Sequence, residues 1–303
     1  MRASGKLQRR DNINGYLFCL PGLVLFGFVG LYSVCFSIYL SFFNWTGVDF
    51  AGTARYVGLD NFKIFLANGN PVKTSLFFAG LLNNFKIGFY SIVVTVPVSL
   101  ILAFVVTNTK RAGIYRTIYF IPMVASGAGV YYAWKGLFDN KGVINTLMRN
   151  LNLEMLVAKG GMFGNTTTAL TGVIITVIWS SIPGTIMLYY AGLSNIDSGL
   201  YEAASIDGAS KFQMLWRITW PLLKPMTIII IIQRLNGAFQ MFENVWVLTR
   251  GGPGGATDVV GSLMYVAAFK DNAYGLTSAY GWAVFLMTLV LSLISMRGFT
   301  SDT

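Results

Sequence analysis

Five stretches of this sequence run for 18 or more residues without a charged side chain. They lie between Asp11 and Asp49, Lys86 and Lys110, Arg116 and Lys135, Lys159 and Asp197, and Asp271 and Arg297. About 20 helical residues are needed to cross a hydrocarbon core about 30 Å thick. Because 54% of the residues are hydrophobic and only 11% are charged, the sequence predicts a protein that crosses a membrane several times.

A sixth apolar run, from Pro225 to Leu248, is exceptional because it contains Arg234 and Glu243. With this run included, the fold class predicted is an all-α membrane protein with six transmembrane helices. We place the helices near residues 15–42, 86–108, 117–137, 169–193, 222–248 and 275–296. Residues 15–303 are then a single transmembrane domain that follows a short N-terminal segment, residues 1–14.

Basic residues predict the orientation of the chain. Four of them, Arg2, Lys6, Arg9 and Arg10, precede the first run. That run is longer than the 7–15 apolar residues of a signal peptide core, so we expect an uncleaved first helix. Lys and Arg are denser in the short loops on the N-terminal side, which predicts cytoplasmic N- and C-termini. Such flanks explain the formal charge of +10 without a nucleic-acid partner.

Side chains for catalysis are scarce. The sequence has no histidine, and Cys19 and Cys35 lie about 24 Å apart along one predicted helix, too far to pair. No cluster of Cys, Asp and Glu has metal-ligand spacing. The glycine-rich run at 251–255 lacks the Lys and Ser/Thr of a phosphate-binding loop and is typical of an outside turn. We expect no enzyme activity, no metal and no cofactor bound by this chain.

A polar segment at 195–224 separates the fourth and fifth predicted helices. Asp197 or Ser198 can cap a first short helix, and Gly208 can take the positive φ that ends it. The sequence Ser-Lys-Phe-Gln at 210–213 fits a capping box that opens a second helix. Four apolar or small residues of that second helix recur at helical spacing and are expected to pack on the membrane domain. They are Phe212, Leu215, Trp216 and Thr219.

This segment resembles the EAA loop of bacterial ABC-importer permeases. The family pattern is met by Glu202, Ala203, Ala204, Gly208, Ile218 and Pro221, and Trp220 stands where the family usually has Leu. The alternative is an ordinary amphipathic linker at the membrane surface. The resemblance extends to Leu-Pro-Gly at 20–22, Ser-Phe-Phe-Asn-Trp at 41–45, Val-Gly-Leu-Asp-Asn-Phe at 57–62, Arg-Thr-Ile-Tyr-Phe-Ile-Pro at 116–122 and Leu-Thr-Arg-Gly-Gly-Pro at 248–253. The chain is therefore similar to the MalF/UgpA-like permeases of carbohydrate ABC importers.

The resemblance implies a type I importer fold in the bacterial cytoplasmic membrane. It implies three partners: a second homologous permease subunit, two copies of a cytoplasmic ATPase that binds ATP and Mg²⁺, and an extracytoplasmic solute-binding protein. It also implies that the loop at 195–224 couples the permease to the ATPase. The coupling residues would be Glu202, Ala203, Ala204, Asp207, Gly208 and Ala209.

The fifth predicted helix carries the best candidates for a path through the membrane. Gln233, Asn236, Gln240 and Asn244 are spaced 3, 4 and 4 residues apart, so a continuous helix would place them on one face. Arg234 and Glu243 flank this stripe on opposite sides. The alternative is that these amides only join helices by hydrogen bonds. In the fourth helix, Pro183 and Gly184 are expected to open the helix toward a cavity, with Ser181 as a contact.

A sugar or oligosaccharide is the substrate that the resemblance implies. Glycerol phosphate or a related polyol is an alternative, because Arg234 would suit an anion as well as a sugar. A second alternative is an ion-coupled secondary transporter that uses Arg234 and Glu243, although the sequence has no obvious internal repeat.

Overall fold

A computed structural model of the protein describes residues 2–67, 69–107, 109, 112–124, 127–153 and 160–300, most of them in helices. The α-helices are α1 (Arg2–Leu25), α2 (Tyr32–Leu40), α3 (Phe50–Thr53), α4 (Asp60–Leu66), α5 (Pro71–Thr107), α6 (Ala112–Val124), α7 (Gly127–Leu137), α8 (Val143–Asn150), α9 (Ala169–Leu193), α10 (Ser198–Ile206), α11 (Lys211–Met214), α12 (Trp220–Leu222), α13 (Lys224–Phe239), α14 (Glu243–Leu248), α15 (Val260–Phe269) and α16 (Tyr274–Thr300). Segments Phe26–Leu31 and Leu215–Thr219 are π-helical, and Met162–Gly164 is a 3₁₀ turn.

Four helical segments of the described chain are long and apolar enough to cross a membrane. They are Asn14–Leu40, Pro71–Thr107, Ala169–Leu193 and Tyr274–Met296. A fifth span is possible if α13 is taken together with the helical segment Lys211–Leu222, from which it is bent by 70°. The predicted third span, 117–137, coincides with most of α6 and with α7, which have 13 and 11 residues. Residues 125 and 126 between them lie outside the described residues, as does residue 108 at the predicted end of the second span.

The predicted fifth helix at 222–248 is wrong as a single element. Helix α13 ends at Phe239, and α14 begins at Glu243. Between them, the backbone of Phe242 has φ −144° and ψ −59°, far from helical values. The side chain of Asn84, on α5, donates to the carbonyl oxygen of Ala238 over 2.6 Å. Because this partner comes from another helix, the interruption does not leave that carbonyl unsatisfied.

The fourth helix agrees with its prediction in its bounds but not in its interior. Helix α9 runs from Ala169 to Leu193 and continues through Pro183. The expected opening at Pro183 and Gly184 is therefore wrong. Thr185 Oγ1 donates to the carbonyl oxygen of Ser181 over 2.9 Å, so the turn that contains the proline keeps a hydrogen bond at this carbonyl.

One compact unit comprises Met1–Gly69 and Val266–Trp282. Its short strands β1 (Phe43–Asn44) and β2 (Arg55–Tyr56) pair antiparallel. Asn61 holds the turn before β1, because its Nδ2 donates to the carbonyl oxygens of Ser41 and Phe43 at 2.8 and 2.9 Å. Along the first span the apolar side chains are exposed, with Phe18 at 88% and Phe28 at 76%. Within the described residues, this span therefore presents its apolar surface outward.

The second unit comprises Asn70–Tyr265 and Ala283–Thr303. Its core joins α5, α9 and α13 through fully buried residues such as Leu100, Tyr189 and Ile230. The hydroxyl groups of Tyr189 and Thr227 share a buried hydrogen bond of 3.0 Å between α9 and α13. These three helices position the polar residues described next.

Candidate functional site

A cavity of about 150 Å³ lies in the second unit, between α5, α9 and the α13–α14 junction. Six polar residues contribute to its lining: Ser91, Ser180, Ser181, Gln233, Arg234 and Asn244. The remaining lining residues are apolar or small and include Val177, Gly237 and Met241. A cavity with convergent polar groups on an apolar frame is the usual form of a small-molecule site.

Arg234 is the one charged residue among those that line this cavity. Its Nε atom is buried and has no hydrogen-bond partner among the described residues. A Cβ atom added to Gly184 would lie 3.8 Å from Arg234 Nη2, so the guanidinium approaches α9 where that helix has no side chain. The cavity therefore contains a positive charge that the surrounding described residues do not neutralise.

Ser91 and Thr95 add two further unsatisfied groups on α5. Ser91 is 3% exposed and Thr95 is 0% exposed. Neither hydroxyl oxygen has a hydrogen-bond partner among the described residues. Buried polar groups without partners are uncommon and call for a specific explanation, such as an absent water or ligand. The sequence reasoning missed Ser91, and its only signal is a small polar residue recurring four positions apart, at 91, 95 and 99, in an uncharged run.

Four of the predicted path residues meet in this cavity, namely Ser181, Gln233, Arg234 and Asn244. The other three do not line it. Asn236 accepts a long hydrogen bond of 3.4 Å from Ser292, and Gln240 is exposed at the end of α13. The carboxylate of Glu243 lies beside Gly127, 3.5 Å from where a Cβ of that glycine would be.

The prediction that four amides stack along one helical face is therefore wrong beyond Phe239. The helix ends there, so the helical repeat of 3.6 residues does not apply to Gln240, Met241 and Phe242. The chain nonetheless brings Asn244 back to the cavity that Gln233 lines. Glu243 does not line this cavity.

The loop that follows α14 is held in place by two asparagines of α5. Asn83 Nδ2 donates to the carbonyl oxygens of Ala256 and Asp258 at 3.1 and 2.8 Å. Asn84 Oδ1 accepts from the amide of Val260 at 3.0 Å. The predicted turn at 251–255 lies in this loop, with positive φ angles at Gly251, Gly254 and Gly255. Helix α5 thus fixes both the end of α13 and the start of α15.

The carboxyl group of Asp258 is partly buried in this loop. Burial raises the pKa of Asp258 above its ordinary value, because the charged form loses solvation. A hydrogen bond from Ser262 Oγ to Asp258 Oδ1, at 2.8 Å, opposes that rise. Asp258 also lies against Gly251, where an added Cβ would collide with its carboxylate.

The polar segment at 195–224 folds locally as predicted. The side chain of Asp197 accepts from the amide of Gly199 at 2.9 Å and caps α10. Gly208 has φ +78°, and Ser210 and Gln213 form the expected capping box at the start of α11. These three predictions are confirmed.

The apolar face predicted for the second short helix is only half correct. Leu215 and Thr219 are buried, but Phe212 is 71% and Trp216 40% exposed. The segment Leu215–Thr219 is π-helical, so the side chains do not follow the 3.6-residue spacing on which the prediction depended. The hydroxyl groups of Tyr201 and Thr219 share a hydrogen bond of 2.9 Å that joins this segment to α10.

The predicted coupling residues surround a surface groove of about 350 Å³. Ala204, Asp207, Gly208 and Ala209 line it, together with Gln213, Met214, Arg217 and Ile218. Glu202 and Ala203 are exposed beside it but do not line it. Ile206, at 86% exposure, is among the most exposed apolar side chains of the described residues.

Comparison with known proteins gives consistent matches over nearly the whole chain. A sequence model of the family described as "Binding-protein-dependent transport system inner membrane component" matches residues 74–300. "Probable ABC transporter permease protein YurN" of Bacillus subtilis (strain 168) is 33% identical over 97% of this chain and 98% of the relative. "Multiple sugar-binding transport system permease protein MsmF" of Streptococcus mutans is 28% identical over 93% and 94%. A crystal structure of a bacterial ABC transporter that imports the acidic polysaccharide alginate contains a chain with TM-score 0.78, 21% identity and 98% coverage of both chains.

Proposed function

Since the chain belongs to the family of binding-protein-dependent transport system inner membrane components, we propose that it forms half of a path by which an ABC importer carries a sugar or oligosaccharide across the membrane. The chain is a transport subunit of such a system and not an enzyme. The observation that carries the substrate class is its similarity, along 93% of its length, to a permease of a multiple sugar-binding transport system. An extracytoplasmic binding protein would deliver the sugar.

The polar cavity is the proposed segment of the path in this subunit. Ser181, Gln233 and Asn244 offer hydroxyl and amide groups that can exchange hydrogen bonds with sugar hydroxyls. The unsatisfied hydroxyl of Ser91 supports the same role, because a bound sugar would supply its missing partner. Asn236, Gln240 and Glu243 remain candidates for other positions along the path, outside this cavity.

The groove at 204–218 is the proposed docking surface for the ATPase. Two copies of this cytoplasmic subunit would bind ATP and Mg²⁺, one against this chain and one against a second, homologous permease. Glu202, Ala203, Ala204, Asp207, Gly208 and Ala209 form or border the groove. The exposed Ile206 and Phe212 support docking, since large exposed apolar side chains near a groove favour association with another protein.

We further propose six spans with both termini in the cytoplasm. The third span would consist of α6 and α7, and the fifth of α13 and α14. The N-terminal segment 1–14, the loop 195–224 and the C-terminus would share the cytoplasmic side, where Lys and Arg are favoured. The exposed apolar side chains of the first span fit contact with lipid or with the second permease.

Affinity purification from the native membrane in mild detergent, followed by mass spectrometry, tests the assembly. The expected result is recovery of a second permease and an ATPase with a phosphate-binding loop. Proteoliposomes that contain this complex and its binding protein should then take up a sugar only when ATP is present. Recovery of the chain alone, transporting without ATP on reconstitution, would instead favour a secondary transporter that uses Arg234 and Glu243.

Glycerol phosphate, or a related polyol, is a second candidate substrate. The positive charge of Arg234 in the cavity favours it, because a guanidinium binds phosphate as well as carboxylate. ATP-dependent uptake of glycerol 3-phosphate in the same proteoliposomes, with no uptake of sugars, would replace the sugar assignment.

A further inference from the structure

Arg234 carries a positive charge that no acidic residue in the cavity lining balances. It lies on α13, within the proposed fifth span, and a charged side chain inside a membrane is costly unless it has a partner or water. Its Nε atom is buried without a hydrogen-bond partner in the described part of the chain. No Asp or Glu is among the residues that line the cavity. The described residues around Arg234 therefore do not supply the charge that would balance it.

The rest of the lining is neutral and suited to hydroxyl groups. Ser91, Ser180 and Ser181 offer hydroxyls, and Gln233 and Asn244 offer amides. These groups can both donate and accept, which is what a ring of sugar hydroxyls requires. A ligand that satisfies the whole cavity would combine several hydroxyls with one acidic group.

We propose that the sugar carried through this cavity bears a carboxylate, as a uronic acid residue does, and that Arg234 binds it. This inference rests on the proposed function, since it specifies the substrate class of the same path. The guanidinium presents parallel N–H groups that match the two oxygens of a carboxylate. Arg234 would thereby act as the residue that distinguishes acidic from neutral sugars of the same size.

Charge balance favours a carboxylate over a phosphate ester. A phosphate monoester carries about −1.5 to −2 charges at neutral pH, whereas a carboxylate carries one. Arg234 is a single cation, and no Lys and no second Arg lines the cavity. One guanidinium neutralises a carboxylate but leaves a phosphate monoester with excess negative charge in a partly desolvated site.

Equilibrium dialysis of the purified membrane complex, without its binding protein, tests this inference. The probes are radiolabelled galacturonate, its neutral twin galactose, in which a CH₂OH group replaces the carboxylate, and glycerol 3-phosphate. We expect the wild-type complex to bind galacturonate about 10-fold or more tightly than galactose, because the acid alone forms charge-assisted hydrogen bonds. Arg234→Gln should abolish this ratio by weakening the binding of the acid.

Two further variants separate a lost contact from a damaged fold. Arg234→Lys keeps the charge but not the paired N–H groups, so it should retain part of the preference. Arg149→Gln is the matched control, because it makes the same chemical change at an exposed arginine on α8, where Nη2 donates to the side chain of Asn140. Size-exclusion profiles of all variants should match that of the wild type.

Every other outcome overturns the inference. Equal affinity of the wild-type complex for the two twins, or binding of neither, would mean that Arg234 is neutralised elsewhere, for example by a carboxylate of the second permease. Binding of glycerol 3-phosphate that depends on Arg234, without a preference between the twins, would assign the site to a phosphate ester. Because dialysis requires no ATP, a complex that lacks an ATPase would refute the proposed function separately. Equal affinity for the two twins in a complex that takes up a sugar with ATP would refute only the carboxylate.

Discussion

Asn84 on α5 binds the carbonyl oxygen of Ala238, in the last turn of α13, although 154 positions separate the two residues in the sequence. The same carboxamide accepts from the amide of Val260 at the start of α15. Asn84 is completely buried. One side chain therefore satisfies two backbone groups at the places where the chain interrupts its helices.

Replacement of Asn84 should destabilise the protein strongly. Asn84→Leu leaves a buried carbonyl and a buried amide without partners, and each such group costs about 1–3 kcal/mol. Asn84→Asp should be at least as harmful, because the carboxylate can accept from Val260 but cannot donate to Ala238. Thermal unfolding of the purified complex in detergent measures the effect, with Asn14→Ala, an exposed asparagine on α1, as control. An unchanged midpoint in both Asn84 variants would contradict this account.

Gly208→Val should uncouple transport from ATP hydrolysis. Gly208 has φ +78° and no atom within 4 Å of an added Cβ, so only its backbone conformation restricts the residue. A β-branched residue in that conformation costs about 1–3 kcal/mol, enough to displace the turn between α10 and α11. ATP-dependent uptake in proteoliposomes should fall about 5-fold or more, while insertion in the membrane is unchanged.

Gly208→Asn provides the matched comparison for this turn. Asparagine tolerates a positive φ better than other side chains with a Cβ, so this variant should keep most of the uptake. Normal uptake by the valine variant at normal expression would refute the docking role of the turn.

Gln233 and Gln240 should differ in their effect on substrate handling. Gln233 lines the cavity, whereas Gln240, at the end of α13, does not. Loss of one hydrogen bond of about 1 kcal/mol in Gln233→Leu should raise the half-saturating substrate concentration about 5-fold. Gln240→Leu should have the smaller effect. Uptake measured against substrate concentration decides the order, and the reverse order would place the substrate outside this cavity.

Asp258 should make the stability of the loop that follows α14 depend on pH. Its pKa is raised by burial, so folding favours the neutral form. This contribution is fully present below the ordinary pKa of 3.8 and is lost as pH rises through the higher pKa of the folded protein. Asp258→Asn removes the titration and can still accept from Ser262.

The difference in unfolding midpoint between Asp258→Asn and the wild type measures this contribution. It should shift in favour of the variant as pH rises from about 4 to 7. A difference that stays constant over this range would show that burial of the carboxylate is compensated in full by its hydrogen bonds.

The sequence predicts best what is decided locally. The bounds of α9 agree with the prediction at 169–193, because a long apolar run without charge leaves few other structures possible. The cap at Asp197 and the capping box at Ser210 and Gln213 also agree, since each joins residues two or three positions apart. Each needs no information from other parts of the chain.

Prediction from the sequence fails where a residue far away in the chain determines the local structure. The interruption after Phe239 depends on Asn84, and nothing within the run from Pro225 to Leu248 identifies that partner. For the same reason only two of the four amide residues predicted to share one face, Gln233 and Asn244, line the cavity. Ser91 was not predicted, because a small hydroxyl residue in an apolar helix is common. Only the structure shows that its hydroxyl is buried without a hydrogen-bond partner among the described residues.

The 70° bend between the segment Lys211–Leu222 and α13 makes this part of the chain two helical arms that meet at a corner. Its corner, Leu223, is 2% exposed and lies tightly against Gly192, so the corner is anchored while the arms extend from it. The 16 residues of α13 form an arm about 24 Å long. If both arms turn as one rigid piece, a rotation of about 5° at the corner moves the Phe239 end of that arm by about 2 Å. A small tilt of the segment Lys211–Leu222 would thus move the part of α13 that carries Arg234 sideways.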